Sequence, residues 1–509
     1  MKPKMNNSHD DSMIIIGAGF AGLAAGIYAS MNGYKTRIFE MHDKPGGLCT
    51  SWKRKGFTID GCIHWLVGSS PKSGLHDFWE EVGIAQNRQF IDMDEYMRFE
   101  DSSGRSVIFY SDVDRLEKHL LEFSPGDEKT IREFTDGVRM CLPFDQPLKS
   151  DPFLKRILKQ IRFGLIFIIN GRKMQKWMKT TIVDFAARFK DPLLSEAFRE
   201  AWIPEFSMFF MLFTFAYLHN RNAGYPMGGS MPMSNALEAR YKQLGGIISY
   251  DARVEKILVE ENRTVGIRLA DGTEHRSSKV VSAADGYTTI FKMLGENYAD
   301  SKIKDVYQKW PLFYPIIFAG IGVNRTFDQE PLTVSGISIP LEKPVEIGDS
   351  VRDRIWLHFF NHDPSLAPAG KSVLTITLET DYNYWKKLSE DKTSYQQKKE
   401  EIGRLLVEQL DHRYPGIKDQ VEMVDIATPM TFERYTGNWK GSFEGWLITP
   451  ANSYVIMKPM KQTLPGLKNF YMCGQWVEPG GGLPTSIMSG RRLIKSICKE
   501  DGMKFKTII

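Results

Sequence analysis

The sequence predicts an α/β fold built round a parallel sheet, and three observations carry that expectation. Met13-Ile14-Ile15-Ile16 is an unbroken apolar run, as a strand buried on both faces requires. Gly17-Ala18-Gly19-Phe20-Ala21-Gly22 follows it and opens an alanine-rich stretch of helical character. A second strand-like run, Thr36-Arg37-Ile38-Phe39, then closes on an acid, Glu40.

Strand, glycine turn, helix, strand and terminal acid in this order form a dinucleotide-binding βαβ unit of the Rossmann type. The three glycines do different things. Gly17 permits the tight turn, Gly19 lets the backbone approach a pyrophosphate, and Gly22 lets the helix pack close to the strand. The phosphates are expected on the free N–H groups and positive dipole end of the helix. Glu40 is placed to accept hydrogen bonds from a ribose diol, and its charge would repel a 2′-phosphate.

After Glu40 come Met41 and the loop Pro45-Gly46-Gly47-Leu48-Cys49, then Asp60-Gly61-Cys62-Ile63-His64-Trp65. A nicotinamide site does not require paired glycines directly after the acid. Flavoproteins place them against the pyrophosphate and ribityl chain, so FAD is expected rather than NAD. Further on, Gly228-Gly229-Ser230 opens a helix to about Leu244, which Gly245-Gly246 ends. Strands are expected over 247–250, 254–259, 264–269 and 279–282, with Asp271-Gly272 as a turn. Near the carboxyl end a strand leads into Cys473-Gly474-Gln475-Trp476. Gly480-Gly481-Gly482-Leu483-Pro484-Thr485-Ser486 then opens a closing helix. The N–H groups at its start can stabilise an electron-rich flavin edge. Gly320-Ile321-Gly322 lacks a third glycine and reads as a strand end, so no second nicotinamide-binding unit is expected.

The chain as a whole sets bounds on function. At 509 residues it exceeds the size at which one core keeps growing, so two joined domains are expected. A net charge of +4 gives no argument for nucleic acid. Cys49, Cys62, Cys141, Cys473 and Cys498 have no metal-type spacing, so neither a metal site nor a disulfide framework is expected. Residues 1–12 are polar, without the apolar core of an export signal. No segment reaches the ~20 apolar residues that span a bilayer. The expected location is the cytoplasm, with peripheral attachment to the cytoplasmic membrane face.

Taken together, these motifs resemble those of the phytoene desaturase, carotenoid isomerase and retinol saturase group of FAD-dependent oxidoreductases, over nearly the whole chain. Asp363-Pro364-Ser365-Leu366-Ala367-Pro368, Thr428-Pro429-Met430-Thr431 and the loop 479–490 add to the likeness. The resemblance implies a glutathione-reductase-like FAD-binding domain interleaved with an α+β substrate domain. On this division FAD-binding segments fall at 11–110, 224–296 and 445–509, and substrate segments at 111–223 and 297–444. The implied cofactor set is Gly17, Gly19, Phe20, Ala21, Gly22, Glu40, Met41, Gly46, Gly47, Leu48, His64, Trp65, Val254, Gly474, Gln475, Gly482, Leu483, Pro484 and Thr485. Val254 would bring its amide to the adenine, and His64, matching a histidine of the saturase-like pattern, would face the flavin and exchange a proton near neutral pH. Two departures stand out: Leu48 replaces an arginine frequent after the paired glycines, and Gln475 replaces an aspartate that meets the ribityl chain.

The implied activity is hydride transfer between flavin and a lipophilic polyene or isoprenoid, in desaturation or saturation. Alternatives are a non-redox double-bond isomerase, a flavin-free lipid carrier and an amine oxidase. Electrons would pass to or from oxygen, a quinone or a diffusing partner. Residues 151–180 set Lys155, Arg156, Lys159, Arg162, Arg172, Lys173, Lys176 and Lys179 round an apolar stretch, against only Asp151. Such a segment suits the headgroup layer of a membrane or, equally, a solvated basic face. The run 208–218, rich in Met and Phe, suits a hydrocarbon tunnel or an ordinary core.

Overall fold

The computed structural model describes residues 12–144, 153–456 and 458–509. Its organising element is a five-stranded, all-parallel sheet in the order Ile247–Ser249, Lys35–Phe39, Ser12–Ile16, Lys279–Ser282 and Phe470–Met472. The apolar run at 13–16 is explained by what covers each face. Met13 and Ile15 pack with helices Phe20–Met31, Ser230–Gln243 and Leu483–Glu500. Ile14 and Ile16 pack instead on a three-stranded antiparallel sheet, Val254–Glu260, Arg263–Leu269 and Glu274–Arg276. Three chain segments far apart in sequence thus complete one layer.

A second sheet has seven strands in the order Val421–Ala427, Ile316–Val323, Ser372–Glu379, Ser350–Phe359, Ile337–Ile347, Glu95–Glu100 and Ser106–Tyr110. All its pairings are antiparallel except that of Ile337–Ile347 with Glu95–Glu100. The last two strands fall inside the expected first cofactor segment, 11–110, yet they extend the other sheet. The chain therefore changes sheets near residue 95. Helix Lys392–Arg413 covers one face of this sheet. A helical layer that includes Val113–Phe123, Glu128–Cys141 and Met208–His219 forms a separate aromatic core.

Gly320-Ile321-Gly322 falls at the carboxyl end of a strand, as expected. It lies inside Ile316–Val323, antiparallel to both neighbours, which is no setting for a dinucleotide turn. Its glycines serve packing: a Cβ on Gly320 would stand 2.8 Å from the Ile59 side chain, and one on Gly322 2.6 Å from the Phe57 ring. The hairpin Ser51–Arg54 and Phe57–Asp60 thereby lies flat on the larger sheet and joins the two layers.

Within the basic segment, Asp151 lies outside the described residues, as do the side chains of Lys155, Arg156, Lys159, Arg162, Phe163, Ile166 and Phe167. Helix Phe153–Lys179 buries Met174 and Trp177 and exposes Ile161, Leu165, Ile168 and Ile169, the last two by 78% and 77%. Arg172, Lys173, Lys176 and Lys179 of the same helix are exposed as well. Among the described residues, no helix is long and apolar enough to cross a membrane.

Gly322→Val is expected to cost about 1–3 kcal/mol, because the Phe57 ring must move from a packed core. Gly171→Ala, in helix Phe153–Lys179 with open space round its Cβ, should instead gain about 0.5–1 kcal/mol. Urea unfolding of the two variants checks both signs.

Candidate active site

The glycine turn after the first strand meets the paired-glycine loop backbone to backbone. Gly46 N–H donates to the Ala18 carbonyl at 2.9 Å, and Gly19 and Gly46 form a parallel bridge. Gly17, Gly46 and Gly47 all have positive φ. A Cβ on Gly46 would collide with the Cys49 carbonyl and the Ser234 hydroxyl, and one on Gly22 with the Gly17 carbonyl. Gly22 thus packs the helix and is the single member of the implied cofactor set outside the cavity wall, whereas Gly19 lines the cavity with no atom near its would-be Cβ. Glu40 pins the turn, accepting the N–H of Ala18 at 2.6 Å and of His42 at 2.9 Å. Burial pushes its carboxyl up, and those amides oppose the shift.

One cavity of about 1510 Å³ runs from this turn to the second sheet. Single small-molecule pockets occupy roughly 300–1,000 Å³, so there is room for a dinucleotide and a second molecule. Its wall brings together Gly17, Gly19, Phe20, Ala21, Glu40, Met41, Gly46, Gly47, Leu48, His64, Trp65, Val254, Gly474, Gln475, Gly482, Leu483, Pro484 and Thr485. Gly480, Gly481 and Gly482 all have positive φ and lead into helix Leu483–Glu500. No side chain caps that helix, so its first amides are available to a ligand at the cavity wall.

Helix Met208–His219 divides its residues between two environments. Phe209, Phe210, Phe213, Thr214 and Tyr217 line the cavity, while Met208, Met211, Leu212 and Phe215 are buried in the helical core. The rings, not the flexible thioethers, form the wall.

His64 stands on the cavity wall beside a second histidine. Its ring stacks on His358, centroids 4.4 Å apart, and His358 Nδ1 lies 2.6 Å from the Ser335 carbonyl. That contact makes Nδ1 the protonated nitrogen of His358 and leaves its Nε2 an acceptor. Burial pushes His358 down to about 4; burial and His358 together hold His64 well below the usual histidine range. Burial thus disfavours the charged form of both imidazoles.

Sequence reading missed three residues. Asp60, fully buried, accepts the Ser230 hydroxyl and the amides of Ser230, Cys62 and Ile63, and so fixes the segment that presents His64. His358 comes from the middle of the second sheet. Glu444 lines the cavity against Gly481 and accepts the Gly482 amide, and burial pushes its carboxyl from 4.5 up to about 7. The one sequence signal for it was an acid between Phe443 and Gly445-Trp446, where a solvated acid has little reason to stand. Among the described residues, no group of three His, Cys, Asp or Glu side chains can hold a metal ion, and all five cysteines are free.

Comparison with known proteins gives this geometry a context. A family model described as "Flavin containing amine oxidoreductase" matches residues 20–493. The chain is 24% identical to a lycopene-forming phytoene desaturase of Pseudescherichia vulneris, over 94% of this chain and 97% of that one. It is 26% identical to prolycopene isomerase 1 of an Oncidium hybrid cultivar, over 99% and 86%. It is 24% identical to the all-trans-retinol 13,14-reductase of Danio rerio, over 92% and 82%. An oxidoreductase structure from Methanosarcina mazei superposes with a TM-score of 0.60 at 16% identity, over 95% and 100%, a likeness of fold.

Because a methyl at Gly19 meets only open cavity, Gly19→Ala should fold with unchanged stability but bind FAD about tenfold or more weakly. Thermal unfolding of the cofactor-free protein and titration with FAD check both halves; unchanged FAD affinity would contradict the placement of the pyrophosphate.

Proposed function

The chain belongs to the flavin-containing amine oxidoreductase family and is an FAD-dependent oxidoreductase, and on that premise we propose that it adds or removes a pair of hydrogens at a double bond of a polyene or isoprenoid lipid. One observation carries the reading: the glycine turns and the aromatic face of Met208–His219 are walls of the same cavity. The names of its relatives, a phytoene desaturase and a retinol reductase, agree with such a substrate.

FAD, when bound, accepts or supplies the hydride. The chain's residues do the rest. Gly17, Gly19, Gly46, Gly47 and the start of helix Phe20–Met31 would hold the pyrophosphate, Glu40 the ribose, and Val254 the adenine. Gln475 would hydrogen-bond the ribityl chain. The amides at the start of Leu483–Glu500 would favour negative charge on the ring edge. Phe209, Phe213 and Tyr217 bind the hydrocarbon and exclude water. Neutral His64, backed by His358, positions without adding charge. A Glu444 carboxyl oxygen takes or gives the proton at the carbon beside the one that exchanges hydride, with a proton affinity matched to neutral pH.

Exposed Ile161, Leu165, Ile168 and Ile169, next to Arg172, Lys173 and Lys176, would rest in an anionic headgroup layer and let lipid enter from the bilayer. Oxygen, a quinone or a diffusing protein would serve as electron partner. A double-bond isomerase is the second reading, favoured by the likeness to prolycopene isomerase.

The test is anaerobic incubation of the FAD-loaded protein with polyene lipids, followed by mass spectrometry. Loss or gain of two hydrogens in step with a change in the flavin spectrum supports redox chemistry; an unchanged mass with altered double-bond geometry supports the isomerase. No change in lipid or flavin overturns both. The pH profile fixes direction: desaturation needs the Glu444 carboxylate, so its rate should rise through pH 7, and saturation needs the acid, so its rate should fall there. Glu444→Gln should remove that limb and lower turnover about 10²–10⁴-fold with FAD still bound.

A further inference from the structure

The cavity has a polar end that neither the cofactor nor a pure hydrocarbon uses. Along strand Ser350–Phe359, alternate residues Arg352, Arg354, Trp356 and His358 share one face and line the cavity. At about 3.3 Å per residue, Arg354 stands ~13 Å and Arg352 ~20 Å from the imidazole pair, measured along the backbone.

Carboxylates act on both arginines only at longer range, Glu379 on Arg352, and Glu196, Glu200, Asp353 and Asp101 on Arg354. Arg354 donates to the Ser338 hydroxyl at 3.1 Å, to the Ser338 carbonyl at 3.2 Å and to the Glu100 carbonyl, and its guanidinium lies 3.7 Å from the centre of the Phe99 ring. Arg352 donates to the Glu379 backbone carbonyl, and its Nε is buried without a hydrogen-bond partner. Among the described residues neither forms an ion pair. The other charged groups at this end are Arg199, Glu200 and Glu379. Arg199 stands 3.7 Å from Glu200, and burial pushes the carboxyls of Glu200 and Glu379 up while Arg354 and Arg352 respectively oppose the shift. Arg352 and Arg354 are half-buried, and an anion arriving with the ligand would supply the close charge partner that neither has.

We infer that Arg352 and Arg354 form a subsite for an anionic head group, carboxylate or phosphate, at the end of an unsaturated chain whose reacting carbons lie beside His64 and His358. This rests on the lipid-oxidoreductase reading above and narrows it from polyenes in general to amphiphiles with one charged end. The guanidinium fork suits either oxyanion through paired N–H donors. The spacing along the strand then acts as a ruler that selects which double bond reaches the cofactor.

The test uses the FAD-loaded protein and two probe pairs: cis-parinaric acid with its primary alcohol, and farnesyl phosphate with farnesol. At least one anion should bind about tenfold or more tightly than its own alcohol, and the preferred pair identifies the head group. Arg352→Gln should abolish the preference while leaving alcohol affinity and the flavin spectrum unchanged, and Arg352→Lys should restore part of it. Arg354→Gln should act alike, but its bonds to Ser338 and Glu100 make Arg352 the cleaner site. Equal binding of acid and alcohol in both pairs would overturn the subsite while leaving the lipid reading intact, as would a preference that survives both glutamine substitutions. Failure of all four probes to bind would overturn the lipid reading itself.

Discussion

Close approach of backbone to backbone is the constraint on which the rest of the structure depends. The first helix, the paired-glycine loop and the closing helix meet with no room for side chains between them. Gly22 sits against the Gly17 carbonyl, and Gly46 against Cys49. Gly490 lies where a Cβ would be 2.8 Å from both the Ala21 carbonyl and the Ala25 amide. That contact brings the helix starts after Gly19 and Gly482 to one cavity, so the packing that folds the parallel sheet also assembles amides from segments far apart in the chain. A substituent at any of these points disturbs fold and site together; Gly19, with open space before it, bears on the site alone.

The cavity's electrostatics are graded along its length. At the glycine end the field is that of backbone amides. In the middle burial disfavours the charged form of two imidazoles and brings Glu444 to about 7. At the far end carboxylates act on Arg352 and Arg354 only at longer range. An apolar aromatic wall joins the three zones, and low polarity strengthens each of them.

The cofactor half was legible in the sequence because its signals are local. Apolar strand, glycine spacing and Glu40 lie within about thirty residues, and their geometry is dictated by that spacing. The second sheet was not, since nothing near Glu95–Glu100 announces that it will pair with Ile337–Ile347. The same limit hid the functional side chains. His64 was visible, but its burial and its contact with His358 are set only by the topology. Glu444 owes its raised proton affinity to burial beside Gly481 and Gly482, and Arg352 and Arg354 reach the cavity only through the register of the second sheet. Gly320 and Gly322 were readable as a strand end, but their packing role against the Ile59 and Phe57 side chains shows only in the fold.

A crystal structure of the FAD-loaded protein with a bound polyene tests the central claim most directly, because the account requires cofactor and lipid to share one cavity. It predicts hydrocarbon density along Phe209, Phe213 and Tyr217, with a double bond between the flavin ring and the Glu444 carboxyl. Lipid density outside that cavity, or a flavin ring closed off from the aromatic helix by protein, would contradict it.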